Sequence, residues 1–216
     1  RKNMDVQYLF GMLIIVIISY LLGSIPTAYI VAKINGRNIF EVGSGNMGAT
    51  NVTRALGLKW GLLVLAVDVL KAILAIIIAR WIKPGSYESA TAVAAIVVIV
   101  GHNWSLFASL VTGTLRGGKG AATAFGTLLM IAPIQVWIGM MIVGGVVILR
   151  TRYVSLAVLL MIGLAVLWLT VLTLQQQLDE TAILYSWSLA GLIVLRFREN
   201  IHRLLTGTER RLGERV

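Results

Sequence analysis

The chain has 216 residues, 58% of them hydrophobic and 13% charged, with a mean hydropathy of +0.87 and a formal charge of +10. A soluble domain of this size cannot bury so much apolar surface, so a soluble enzyme, a fibrous protein and a disordered chain are excluded. The absence of cysteine excludes disulfides, thiolate catalysis and cysteine-ligated metals, and His102 and His202 alone leave little for any other metal site.

The apolar run at 8–32 is too long for a cleaved signal peptide and reads as a first membrane span. Others follow at 61–82, 90–111, 121–149, 153–174 and 181–197, judged against the roughly 20 residues that a spanning helix needs. The run at 121–149 is too long for one crossing and carries Pro133 among Gly126, Gly139, Gly144 and Gly145.

Loop charge sets the expected sidedness, because basic loops stay in the cytoplasm. Lys33, Arg37, Arg54 and Lys59, then Arg116 and Lys119, then Arg150 and Arg152, and finally the arginine-rich segment from 196 all belong there. The segment 83–89, with Lys83 and Glu88, and the segment 175–180, with Asp179 and Glu180, read as external. Passing from Lys119 to Arg150 on one side takes an even number of crossings, so 121–149 is expected to form two short spans hinged near Pro133. The expected fold is an all-α integral membrane bundle of seven transmembrane helices, its N-terminus outside and its C-terminus cytoplasmic. Residues 1–216 are expected to form a single domain.

Two loops could carry chemistry. The first holds Gly43-Ser44-Gly45-Asn46-Met47-Gly48-Ala49-Thr50-Asn51, followed by Arg54. Its glycines match a dinucleotide-binding pattern, but that pattern has meaning only between a strand and a helix, and here both neighbours are membrane helices. What remains is an anion cradle. Glycines expose backbone N–H groups, Ser44, Asn46, Thr50 and Asn51 add side-chain donors, and a helix beginning near Asn51 would aim its positive end at a phosphate. A turn capped by Asn and Thr is the alternative. The second loop, Arg116-Gly117-Gly118-Lys119-Gly120, presents Lys119 at a glycine-rich helix start and reads either as a second phosphate site or as a basic membrane anchor.

Within the spans, His102 reads either as a functional group or as a buried neutral imidazole bonded to a helix carbonyl. Asp68 and Lys71, three residues apart, are expected to pair on one helix face, with a structural role. The stretch from Arg196 to Leu205 is basic and amphipathic, suited to anionic headgroups.

The ordered set GSIPTAY (23–29), GSGNMGATNVTR (43–54), DVLK (68–71), GH (101–102), GGKGAAT (117–123), RYVS (152–155) and ENIHRLLTGTE (199–209) resembles the bacterial acyl-phosphate:glycerol-3-phosphate acyltransferase family over nearly the whole chain. The resemblance implies a multi-pass enzyme of phospholipid biosynthesis in the bacterial cytoplasmic membrane, its active site facing the cytoplasm. It implies acyl phosphate and glycerol-3-phosphate as partners within the lipid bilayer, lysophosphatidic acid and phosphate as products, and no cofactor, metal or nucleic acid. A monomer is compatible with it. By the same likeness Ser44, Gly45, Asn46, Arg54, His102, Lys119, Ser155 and Asn200 bind substrate, with Lys119, Arg54, His102 and Ser44 the catalytic candidates. Three departures accompany it: extra residues near Val111 to Leu115, Ser105 in place of a usual proline, and Phe197 in place of a histidine.

An acyl phosphate is already an activated mixed anhydride, so such a site mainly positions and neutralises two anionic groups. The leaving phosphate can take the hydroxyl proton itself. His102 as general base is the rival, and Ser44 as nucleophile ranks third. From another class, an anion or phosphorylated-solute transporter also uses broken helices and glycine-rich basic turns.

Overall fold

The computed structural model describes residues 6–82 and 87–214; the sequence expectations resting on Lys83 and on the first five residues lie outside them. Among the described residues there are ten helices and no strand. They are α1 (Val6–Ser24), α2 (Thr27–Ile34), α3 (Ala49–Leu56), α4 (Leu58–Ile82), α5 (Tyr87–Asn103), α6 (Leu106–Thr112), α7 (Ala121–Ile131), α8 (Ile134–Thr151), α9 (Val154–Leu174) and α10 (Thr181–Leu205).

Five units are long and apolar enough to cross a membrane: residues 6–34, α4, residues 87–112, α8 and α9. Two of these are broken helices where the sequence suggested continuous spans. Pro26 cannot donate a backbone hydrogen bond and separates α1 from α2. The interruption at Trp104-Ser105 separates α5 from α6. The two breaks face each other and satisfy each other's freed groups. Ser24 Oγ donates to the Gly101 carbonyl at 3.3 Å and accepts from Leu106 N–H at 3.3 Å, while Ser105 Oγ donates to the Ser24 carbonyl at 2.5 Å. Irregular backbone at this depth is tolerable only when its polar groups are paired in this way.

Gly23 and Gly101 let the two helices touch backbone to backbone, since a methyl on Gly101 would strike the Tyr20 carbonyl and one on Gly23 the Val98 carbonyl. Gly101→Ala is therefore expected to destabilise the bundle by about 1–3 kcal/mol. Gly163→Ala, on open α9 surface, should leave the thermal transition unchanged in the same measurement.

The expected hinge at Pro133 is present and bends the chain sharply. Were α7 and α8 coaxial, Phe125 and Trp137 would stand about 18 Å apart at 1.5 Å per residue. Their ring centroids are 5.7 Å apart, and Trp137 Nε1 donates to the Leu128 carbonyl at 3.1 Å.

α5, lined by Ala90, Ala94, Ala95 and Gly101, packs against α1, α4, α7 and α10, and α9 lies between α8 and α10. The main core runs through these helices. A smaller cluster of Ala28, Val31, Ile39, Met47, Val52, Val64 and Ala108 anchors the first polar loop and α3 onto α2, α4 and α6. Leucines such as Leu74, Leu149, Leu167 and Leu184 face outward, as lipid-facing positions do.

Candidate active site

At one end of the bundle the two glycine-rich loops, α3 and the segment after α10 enclose a cleft of about 1260 Å³. All eight residues expected at the site line it: Ser44, Gly45, Asn46, Arg54, His102, Lys119, Ser155 and Asn200. Leu62, Leu65, Phe125 and Val158 supply an apolar wall.

The first loop is built around Asn51. Its side chain accepts from Ser44 N–H at 2.9 Å and donates to the carbonyls of Val42 at 3.0 Å and Asn46 at 3.1 Å. Gly43 and Gly45 adopt φ of 60° and 64°, the left-handed region that glycine enters without steric cost. This changes the sequence reading of Asn51. The helix starts two residues earlier, at Ala49, and the Asn51 amide is buried and spent on shaping the loop, leaving it no capacity for an anion.

Arg54 sits one turn along α3 and faces the cleft. Its Nε is buried and has no hydrogen-bond partner among the described residues, although such a group ordinarily finds one. Burial, then the nearby Arg210, lower the guanidinium below its ordinary pKa, with Glu209 and Glu214 opposing.

Across the cleft, Lys119 donates to Asn200 Oδ1 and stands 5.6 Å from the Phe197 ring centroid. Phe197 thus gives Lys119 a buried aromatic support where a histidine was expected. Burial, then repulsion from Arg203, push the Lys119 ammonium down to about 8, against the pull of Glu199 and Glu209.

Asn200 in turn donates to Glu209 Oε1 at 2.7 Å, Ser155 Oγ donates to the same oxygen at 2.8 Å, and Arg203 Nε reaches Oε2 at 2.7 Å. Burial would raise the Glu209 carboxyl, but these three bonds hold it below the usual carboxylate range. Sequence reasoning gave Glu209 no role and placed Arg196 and Arg203 only in a basic stretch suited to anionic headgroups. The one available signal for Glu209 was its place at the end of the 199–209 motif in an arginine-rich segment. Arg196 clamps the second loop, donating to the Gly118 carbonyl at 2.9 and 2.7 Å and to that of Gly117 at 3.3 Å, with Trp104 beneath its guanidinium.

Of the stretch from Val111 to Leu115, Val111 and Thr112 end α6 and residues 113–115 form an exposed turn after it. Gly118 N–H donates to the His102 carbonyl at 2.9 Å and Ser105 N–H to that of Arg116 at 2.9 Å. The second bond needs an N–H that proline lacks, so Ser105 is integral to this form of the loop. Asp68 and Lys71 pair at 2.8 Å, both buried, as their spacing suggested.

Residues 13–207 match the family described as glycerol-3-phosphate acyltransferase. The chain is 40% identical to the glycerol-3-phosphate acyltransferase of Halalkalibacterium halodurans, covering 94% of this chain and 96% of that protein. It is 43% identical to that of Thermus thermophilus, covering 93% and 94%. Its fold is similar to the crystal structure of PlsY (YgiH), an integral membrane glycerol 3-phosphate acyltransferase, in the glycerol 3-phosphate form, with a TM-score of 0.82, 38% identity and coverage of 94% and 96%. The lysophosphatidic acid form of the same enzyme gives a TM-score of 0.80 at 37% identity, over 94% and 95%.

Proposed function

Because this chain belongs to the glycerol-3-phosphate acyltransferase family, we propose that it transfers a fatty acyl group from acyl phosphate to the 1-hydroxyl of glycerol-3-phosphate. The products are lysophosphatidic acid and inorganic phosphate. One observation carries the choice of substrates: a single cleft lined by several cations sets Arg54 on α3 and Lys119 on the second glycine-rich loop beside an apolar wall. Two phosphate-bearing substrates need two cationic contacts, and an acyl chain needs a dry surface reached from the bilayer.

The Ser44 and Gly45 N–H groups are already bonded to Asn51 Oδ1 and the Val42 carbonyl, so in this reading Arg54, the Ser44 hydroxyl and Asn46 hold one phosphate on a turn shaped by Gly45, Lys119 holds the other, and Ser155 and Asn200 border the site. The glycerol hydroxyl attacks the acyl carbonyl carbon, the carbonyl–phosphate bond breaks, and the departing phosphate accepts the hydroxyl proton. Substrate assistance is favoured because neither rival fits the geometry as well. Ser44 is exposed, and the hydrogen-bonded partner of His102 is Lys71, not Ser44. Membership of an acyltransferase family removes the ground for the transporter reading.

The test is purified protein in detergent with palmitoyl phosphate and glycerol-3-phosphate. Equal amounts of phosphate and lysophosphatidic acid are expected. Product formed only from an acyl thioester would overturn the choice of donor.

Counting α1–α2, α4, α5–α6, α7, α8, α9 and α10 as crossings gives seven spans in one domain of the bacterial cytoplasmic membrane. The N-terminus is then outside, and the cleft and C-terminus are cytoplasmic, in keeping with the basic loops. α7 is only about 17 Å long at 1.5 Å per residue, and its packing on α4 supports so short a crossing. Single-cysteine labelling suits a chain without native cysteine. Cysteines at Glu88 and Asp179 should react with an impermeant reagent from outside and one at Thr151 should not. External labelling at Thr151 would overturn the double crossing of 121–149.

A further inference from the structure

Each hydrogen of the Lys71 ammonium has an acceptor: the Ile25 carbonyl at 3.1 Å, Asp68 Oδ1 at 2.8 Å and His102 Nδ1 at 3.0 Å. An ammonium donates three hydrogen bonds and accepts none, so Nδ1 of His102 is the accepting nitrogen. In the neutral ring the proton then resides on Nε2. Asp68 Oδ1 is fixed in turn by the Thr27 hydroxyl at 3.0 Å.

The Nε2 edge of the imidazole faces Gly118 of the second loop, where only a glycine leaves it room, because a methyl there would overlap Nε2. The ring is therefore held on one side by a buried ion pair and on the other by the loop that carries Lys119. Asp68 and His102 both reach the wall of the cleft. Cohesion alone does not explain the pair. At 2% and 5% exposure in an apolar bundle, the two charges stabilise no better than apolar side chains of the same volume would.

We infer that Asp68 and Lys71 are positioning residues that lock His102 in its Nε2–H tautomer, making it a fixed hydrogen-bond donor to an anionic substrate oxygen and not a proton acceptor. The donor role rests on the acyl-transfer reading; the tautomer does not.

The chain contains two histidines, and His202 is exposed on α10. In a His202→Gln background, ¹⁵N spectra of histidine-labelled protein in micelles therefore report His102 alone. The expected spectrum has a protonated Nε2 and a bare Nδ1, with Lys71→Met producing a mixture of tautomers. Asp68→Asn/Lys71→Met serves the same purpose without a lone buried carboxylate. Both are expected to lower kcat by about tenfold or more while KM for glycerol-3-phosphate stays within about twofold, since substrate still binds but is misaligned. A protonated Nδ1 or an imidazolium in the unsubstituted site would overturn the lock, whether or not the substituted proteins fold.

Two further variants separate the ring's ends. His102→Gln carries an amide nitrogen to the place of Nε2, whereas His102→Asn offers Lys71 an acceptor but no donor at that place. The Gln protein is expected to retain activity within about tenfold and the Asn protein to fall by at least about a further tenfold. Equal activities would overturn the donor role. If the unsubstituted enzyme itself fails to turn over acyl phosphate, the parent reading fails, and the spectra still decide the lock.

Discussion

Lys119→Ala is expected to reduce kcat/KM for glycerol-3-phosphate by about 10- to 100-fold, the kinetic equivalent of about 1.5–3 kcal/mol for one charge-assisted contact. The fold should survive, because the side chain stands at the cleft wall and its one strong partner, Asn200, keeps Glu209. The same residue predicts a pH dependence with a definite sign. Burial sets the Lys119 ammonium at about 8, so the free enzyme loses this charge as pH rises through that value, and kcat/KM should fall on the alkaline side. Arginine stays protonated throughout, so Lys119→Arg should move that limb upward whatever its effect on the maximum. An unchanged limb in Lys119→Arg would exclude Lys119 as its source.

Arg54→Ala should be comparably severe, at least about tenfold in kcat/KM, for a different reason. The buried Nε has no partner among the described residues, so little internal structure depends on it and the loss falls on the bound anion. Lysine should recover only part of the activity, because a point charge cannot reproduce the planar, forked donor geometry of a guanidinium. Near-normal kinetics in a well-folded Arg54→Ala protein would remove Arg54 from the phosphate contacts.

The membrane class, the long apolar helices and the break at Pro133 were legible because hydropathy is summed over many residues. The breaks at Pro26 and Ser105 were harder to read. Each lies inside an apolar run, and its significance depends on the other, 79 residues away, through the bonds of Ser24 and Ser105. The site was legible where the residue type itself announces chemistry, as with Lys119 and Arg54 among glycines. Asn51 shows the limit. An amide in a glycine-rich loop serves equally to bind a ligand or to brace the loop, and only the buried contacts to Ser44, Val42 and Asn46 distinguish the two. The role of Glu209 was hidden for the converse reason: its three donors come from α9 and α10 while it lies in the segment beyond, and no local spacing brings all of them together.

That carboxylate also makes the order of synthesis matter. Glu209 joins Ser155, 54 residues upstream, to Asn200, 9 residues upstream. A nascent chain that ends with α9 already contains both glycine-rich loops, yet it has neither Asn200 to hold Lys119 nor Glu209 to tie Ser155. Insertion and competence are thus separated in time. The arrangement that joins Lys119, Ser155 and Glu209 is complete only after the helix bearing Asn200 has packed and the segment behind it has folded back.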